Sequence, residues 1–157
     1  LKIDNICDLI VEKMIITTIN NEENNVQEQI SLTPPYVFLY YFQRLNLDKI
    51  ALLLDDNQTY QNFDKSEFLN KLSVAFDEFI LAGDTYLNRH QGFCNSKTCN
   101  YKSKGYAFIG NVSRKYFELI VEIKDGVVSD LYQCHSFKCN DKGIIKKGIV
   151  LINDAPF

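Results

Sequence analysis

The chain of 157 residues contains no tryptophan, one methionine, three prolines and seven glycines. No linker rich in proline or glycine divides it, and no internal repeat is visible. No apolar run approaches the roughly 18 residues that a membrane-spanning helix needs. The net charge of −3 and the pI of about 5.4 lack the basic footprint typical of nucleic-acid binding. We therefore expect neither a membrane nor a nucleic acid as a partner.

The sequence also lacks the common catalytic strings. It contains no glycine-rich phosphate-binding or dinucleotide-binding motif, no G-x-S-x-G and no H-E-x-x-H. His90 and His135 are the only histidines, so few residues are suited to proton transfer near neutral pH. These absences favour a binding domain over an enzyme.

What is present is typical of one globular domain, with 46% hydrophobic and 24% charged residues. No signal peptide is visible, which predicts a cytoplasmic protein. The chain opens "LKIDNICDLI" without methionine, so a removed leader and a secreted protein remain the alternative. The richness in Asn, Ile and Lys indicates an AT-rich bacterial genome.

The chain divides into an N-terminal helical extension over 1–32 and a single α+β domain over 33–157. Helical spacing in the extension places four apolar residues on one face, with Cys7 beside it as a small buried residue. These four are Ile6, Leu9, Ile10 and Met14. The polar stretch 20–29 separates the extension from the domain.

Three helices are predicted at the start of the domain. The first follows Thr33 at the two prolines of "TPPYVFLYYF", and "LDKIALLLDDN" is the second. The third begins at a capping box formed by Asp64 and Glu67 and ends at Gly83. Its apolar stripe comprises Phe68, Leu72, Phe76, Phe79 and Ile80.

After Gly83 the period of the pattern changes from 3.6 to 2, which predicts antiparallel strands. The strand candidates are "DTYLNRHQGFC", "YAFIGN", "YFELIVEIK", "VVSDLYQC" and a last strand at Ile149–Ile152. In the third of these, Phe117, Leu119, Val121 and Ile123 face one way, whereas Glu118, Glu122 and Lys124 face solvent. Asp125 and Gly126 are a strong hairpin signal.

This order of elements resembles the nuclear transport factor 2-like superfamily, the cone-shaped α+β fold shared with ketosteroid isomerase. The resemblance covers Pro35 to Phe137. It is carried by "YYFQRLNLDKIALLLDDNQTYQNFDKSEFLNKLSVAF", a helix pair leading to a short strand and a long helix, and by the closing hairpin "ELIVEIKDGVVSDLYQC".

The resemblance implies a curved antiparallel sheet wrapped on a long helix, with a pocket at the open end of the cone. Members of the superfamily include isomerases, dehydratases and pure binding modules, and dimers are common, so we expect a small hydrophobic ligand and a homodimer. In the isomerase branch an Asp base and a Tyr/Asp pair do the chemistry. Asp84, Tyr60, Tyr106 and Asp130 are nominal candidates for these roles.

Four of the five cysteines form two pairs with equal spacing, Cys94-x4-Cys99 and Cys134-x4-Cys139. Each pair follows a predicted strand of one sheet, so we expect all four sulfurs to meet at one corner. Four thiolates suit a structural zinc ion, with His135 as an alternative ligand and His90 as a spare ligand or a partner of one.

Three alternatives to structural zinc stay open. In an oxidising compartment the pairs would form disulfides, and exposed thiolates of low pKa would make a redox switch. A catalytic zinc would need an open coordination position and a nearby proton carrier. The aromatic cluster Tyr36–Phe42 is interpreted as core packing, with the wall of an apolar ligand pocket as its alternative.

Together these observations predict a binding domain with an apolar pocket and a structural cysteine cluster. A pocket enzyme that uses general acid–base chemistry, of the isomerase or dehydratase kind, is the alternative. A thiol-redox interaction protein is the third.

Overall fold

The computed structural model describes residues 34–96, 105–134 and 136–152. Within them the chain is an α+β unit of three helices and a five-stranded antiparallel sheet. The helices are α1 (Pro34–Gln43), α2 (Leu47–Leu53) and α3 (Lys65–Leu81). The strands are β1 (Thr59–Tyr60), β2 (Phe63–Asp64), β3 (Leu87–Cys94), β4 (Gly105–Gly110), β5 (Tyr116–Lys124), β6 (Val127–Gln133) and β7 (Phe137–Cys139). The predicted N-terminal helix, Cys7, Cys99 and His135 lie outside the described residues.

Helix α3 begins and ends where the sequence predicts. The Asp64 carboxylate accepts a hydrogen bond from the Glu67 backbone N–H at 2.8 Å and so caps the helix. Gly83, at φ +90°, takes the left-handed conformation just beyond the last turn. The prediction that Ile80 belongs to the apolar stripe is wrong, because Ile80 is 53% exposed. Ala75, which lies between two buried turns of the stripe, occupies the buried face instead.

The five-stranded sheet has the order β6-β5-β4-β3-β7, and all its strand pairs are antiparallel. The predicted hairpin between β5 and β6 is confirmed, since Asp125 and Gly126 both have positive φ. Strands β1 and β2 form a separate small hairpin. That hairpin is tied to β6 through Gln61, whose backbone N–H donates to the Asp130 carboxylate at 2.9 Å.

The main core lies between the helices and one face of the sheet, called here the helix face. Phe42 of α1 is at its centre, with its ring centroid 4.3 Å from that of Phe108, 5.0 Å from Phe76 and 5.5 Å from Phe117. All four rings are buried. The core interpretation of the aromatic cluster is therefore confirmed for Phe38, Tyr41 and Phe42, which are all buried. It is wrong for Tyr36, which is 53% exposed.

Two strand predictions need correction. The alternation in β5 fails at Ile123, which is 49% exposed, because a β-bulge falls between Glu122 and Ile123 and the hairpin beyond it is exposed. Over Ile149–Ile152 there is an isolated parallel bridge between Tyr116 and Ile149 in place of a strand. Backbone hydrogen bonds join this segment to Tyr116, whose N–H donates to the Gly148 carbonyl at 3.0 Å and whose carbonyl accepts from the Val150 N–H at 2.8 Å. The side chain of Gln133 adds two more, donating to the Val150 carbonyl at 2.6 Å and accepting from the Ile152 N–H at 3.0 Å.

Candidate functional site

The candidate site lies on the face of the sheet opposite the helices, called here the second face. Because side chains alternate along strands, the pairing register places Cys94, Ala107, Ile120 and Phe137 on this face. Cys134, which directly follows β6, packs with Ala107, Ile120 and Phe137. These four residues form a second buried cluster that is separate from the main core. Cys94, Tyr132 and Cys139 pack against its border.

One cysteine from each sequence pair meets at this cluster. The Cys94 side chain hydrogen-bonds to Cys134, although β4 and β5 separate their strands in the sheet. The two segments also join through the backbone, where the Asn95 N–H donates to the Ser136 carbonyl at 2.7 Å. The structure thus brings one cysteine of each pair together, and the meeting of all four sulfurs stays a prediction.

This meeting requires a strongly bent sheet. Cys134 and Phe137 are three residues apart, so their Cα atoms lie within about 11 Å of each other. In a flat sheet β6 and β7 would be four inter-strand spacings apart, about 19 Å. The two edge strands therefore approach each other at this end of the sheet, where Cys134 and Phe137 pack together.

The Phe137 ring packs where two glycines leave room for it. Gly92 and Gly105 are direct partners on β3 and β4, and a Cβ atom on either would collide with this ring. Ile120 closes the other side of the Gly105 position. The glycines thus allow an aromatic side chain from the edge strand to lie flat across its neighbours, a close approach that only glycine permits.

Two thiols of this cluster, Cys134 and Cys139, favour the protonated form. Burial, together with the hydrogen bond to Cys94, raises the pKa of Cys134 to about 12 against the opposing effect of the hydrogen bond from the Ser136 backbone. Burial also raises the pKa of Cys139, as do the charges of Glu118 and Asp141, whereas Lys146 lowers it. Such thiols are poor nucleophiles near neutral pH.

Glu118 corrects a further prediction, because it is buried at 4% exposure and does not face solvent. Strand β5 lies inside the sheet, and the chain after β7 returns across the second face above it. From that returning segment the Lys146 ammonium donates to the Glu118 carboxylate at 2.6 Å. Burial alone lowers the pKa of Lys146, but the hydrogen bond and charge of Glu118 outweigh it, and the net pKa is raised. The ion pair fastens the returning segment to the sheet.

The remaining predicted ligands divide into three groups. His90 lies on the second face, with its Nδ1 atom 3.3 Å from the Asp141 carboxylate. Cys139 borders the thiol cluster but sits near Lys146 and Asp141. Cys99 and His135 lie outside the described residues. Within 34–96, 105–134 and 136–152 no three His, Cys, Asp or Glu side chains are close enough to share a metal ion, and Cys94, Cys134 and Cys139 are not in disulfides.

The nominal acid–base candidates all have structural partners. The buried Asp84 carboxylate accepts from the backbone N–H groups of Val112 and Ser113 at 2.7 and 2.9 Å. The Tyr60 hydroxyl accepts from the Asp55 N–H at 2.9 Å, and Asp130 holds Gln61 as described above. Tyr106 lies under Arg89, whose guanidinium is 5.6 Å from the ring centroid. None of these contacts calls for a catalytic role.

A cleft of about 490 Å³ opens elsewhere, between the end of α1 and the start of β3. Its described lining combines aromatic, polar and apolar side chains with one cation, and no carboxylate. The lining residues are Tyr40, Gln43, Arg44, Thr85, Tyr86 and Leu87. Of these residues, only Tyr40 belongs to the aromatic cluster that the sequence pattern indicates. Nothing in the local pattern of the other five predicts that two segments more than 40 residues apart lie together.

Comparison with protein-family models, with curated proteins and with solved structures gives no match for this chain. Among the helices that the structure describes, none has the length and apolar character needed to cross a membrane.

Proposed function

We propose that this protein is a ligand-binding domain whose paired cysteines hold a structural zinc ion at one end of the sheet. The observation that carries the proposal is the contact between Cys94 and Cys134, one residue from each C-x4-C pair. These thiols are 40 residues apart in the sequence, and their contact requires a bent sheet and a chain crossing. Two cysteines that were merely buried as small apolar residues would not need to be in contact.

A hydrogen bond between the two thiols is compatible with a shared metal. Two sulfurs on one tetrahedral zinc lie about 3.8 Å apart, because each Zn–S bond is about 2.3 Å long. Hydrogen-bonded thiols have a similar spacing, so Cys94 and Cys134 can accept zinc with little movement. Cys99 and Cys139 would complete the site, with His135 as an alternative ligand. A bound zinc would supply a cross-link between the two chain segments and would make all coordinating thiols ionise.

The element order supports the proposed relation to the cone-shaped superfamily. A helix pair, a short hairpin, a long helix and an antiparallel meander follow one another as the resemblance implies. A sheet that wraps α3 as a cone, and the homodimer common in that superfamily, remain parts of the proposal. The carboxylate-free lining of the cleft favours binding over acid–base catalysis, and the raised thiol pKa values disfavour redox catalysis.

The test is the metal and thiol content of the protein purified without a metal-affinity tag. We expect one zinc per chain by mass spectrometry of the native protein, protection of the paired thiols from alkylation, and a lower melting temperature after chelation. Cys94→Ser and Cys134→Ser should abolish zinc binding. Cys7→Ser is the matched control, because Cys7 belongs to neither pair, and it should bind zinc as the unaltered chain does.

Two outcomes would refute the zinc proposal. One is a metal-free protein that does not take up added zinc and whose melting temperature is insensitive to chelator. The other is alkylation that occurs only after reduction, which would show that disulfides join the cysteines.

A further inference from the structure

We propose that the cleft between α1 and β3 binds a small ligand that combines an aromatic ring with an anionic group, a carboxylate or a phosphate. The volume of about 490 Å³ falls within the range of roughly 300–1,000 Å³ typical of small-molecule sites. The inference rests on the proposed binding role of the domain, but it does not depend on the cysteine cluster, which lies on the other face of the sheet.

The two walls of the cleft are fixed before any ligand arrives. Across its base, the Gln43 side chain on α1 donates to the Leu87 carbonyl on β3 at 3.2 Å. Behind the β3 wall, the Asn111 side-chain oxygen accepts from the backbone N–H groups of Thr85 and Tyr86 at 3.0 and 3.4 Å. A site whose walls are held in this way loses little conformational freedom on binding.

Each wall supplies an aromatic surface. Tyr40 comes from the last full turn of α1, and Tyr86, which is 44% exposed, comes from the residue before β3. Leu87, the residue after Tyr86, is fully buried in the main core and so fixes the start of β3 beside the cleft. Aromatic rings pack favourably in stacked or edge-on arrangements, so this combination favours a planar, partly apolar ligand.

The charge in the cleft selects an anion. The Arg44 guanidinium lies 5.4 Å from the centroid of the Tyr40 ring, which holds its planar group against the aromatic wall. Arginine in a fixed orientation binds carboxylate and phosphate groups through two parallel hydrogen bonds. The described lining contains no Asp or Glu to repel such a group. A ligand whose ring packs beside Tyr86 and whose anionic group binds Arg44 would use both the aromatic surface and the positive charge of the cleft.

The test is a titration of the full-length protein, followed by ligand-observed NMR. Adenosine monophosphate is the probe that carries both a ring and an anion, and adenosine and inorganic phosphate are its two halves. We expect saturable binding of the monophosphate, at least about tenfold tighter than that of either half, as expected when two contacts act together. Arg44→Gln and Tyr86→Leu should each weaken it by about tenfold or more.

Arg89→Gln is the matched control. Arg89 also lies over a tyrosine ring, 5.6 Å from the centroid of Tyr106, but it does not line the cleft. Its replacement should leave affinity unchanged, and melting temperatures will show that each variant is folded. The inference is overturned if no probe binds saturably, if adenosine binds as tightly as its monophosphate, or if the two arginine variants behave alike. Zinc content measured on the same preparation separates these outcomes from failure of the metal proposal.

Discussion

The close packing of Phe137 over two glycines predicts that the effect of one substitution depends on another. In Gly105→Ala, the new methyl group would lie 2.7 Å from the Ile120 Cδ1 atom and 3.0 Å from the Phe137 Cδ2 atom, with a second ring atom closer still. All these neighbours are side chains. Most of the clash should therefore disappear in the double variant Gly105→Ala with Phe137→Ala, because the ring is gone and the Ile120 Cδ1 atom, at the end of its side chain, can move into the space that the ring leaves.

The magnitudes follow from burial. Phe137 is 9% exposed, so Phe137→Ala should cost about 3 kcal/mol, the low end of the range for buried rings, because Phe137 lies on an edge strand that can settle into the space. Overpacking by the methyl of Gly105→Ala costs about 1–3 kcal/mol. Alanine in a strand regains roughly 0.5–1 kcal/mol relative to glycine. Gly105→Ala should thus destabilise the unaltered chain yet be neutral or stabilising when Phe137 is absent.

The assay is urea unfolding of the four proteins of this cycle, followed by circular dichroism and tyrosine fluorescence, since the chain has no tryptophan. We expect a coupling energy of at least about 1 kcal/mol between the two sites. Gly92→Ala is the control, because its methyl would also meet the Lys138 backbone carbonyl and so should stay destabilising in both backgrounds. Equal effects of Gly105→Ala with and without Phe137 would refute the packing described here.

Two further predictions concern buried ionisable groups. In the metal-free protein the free energy of unfolding should fall as the pH rises from 9.0 toward about 12, because the unfolded Cys134 thiol ionises while the folded one keeps its proton. In Cys134→Ala the urea midpoint should therefore depend less steeply on pH over this range than in the unaltered chain. An equally steep dependence in both proteins would count against the raised pKa of Cys134. Asp84→Ala should cost about 1–3 kcal/mol by leaving the N–H groups of Val112 and Ser113 without an acceptor. Asp77→Ala, at an exposed position on the neighbouring helix, should change stability far less, and equal melting temperatures for the two variants would contradict this.

The buried position of Glu118 shows where alternation misleads. The pattern in β5 assigns its charged residues to a solvent face, and that is correct for a sheet with one covered side. Here the chain after β7 returns over the second face and supplies Lys146 to Glu118. The position of a polar residue in an alternating strand predicts only which face of the sheet its side chain occupies. Whether that face is covered depends on a segment that follows much later in the sequence.

The cysteine pairs show a similar division. Equal C-x4-C spacing beside two predicted strands led to the prediction that all four sulfurs meet, and the structure shows a contact between two of them, Cys94 and Cys134. The spacing could not predict that Cys139 would belong to an edge strand, β7, bordered by Lys146 and Asp141. Three residues, Phe137–Cys139, carry too little pattern to be recognised as a strand, and they pair with β3 only because the sheet is bent.

Local interactions determined what the sequence alone could determine: the start of α3 at Asp64, the turn at Asp125 and Gly126, the order of helices and strands, and the aromatic core around Phe42. Each depends on residues a few positions apart, or on the period with which apolar side chains recur. Only the tertiary structure decided the bend of the sheet, the meeting of Cys94 with Cys134, the burial of Glu118 and the cleft beside Arg44. These arise from contacts between residues that lie tens of positions apart, which the coiling of the whole sheet brings together.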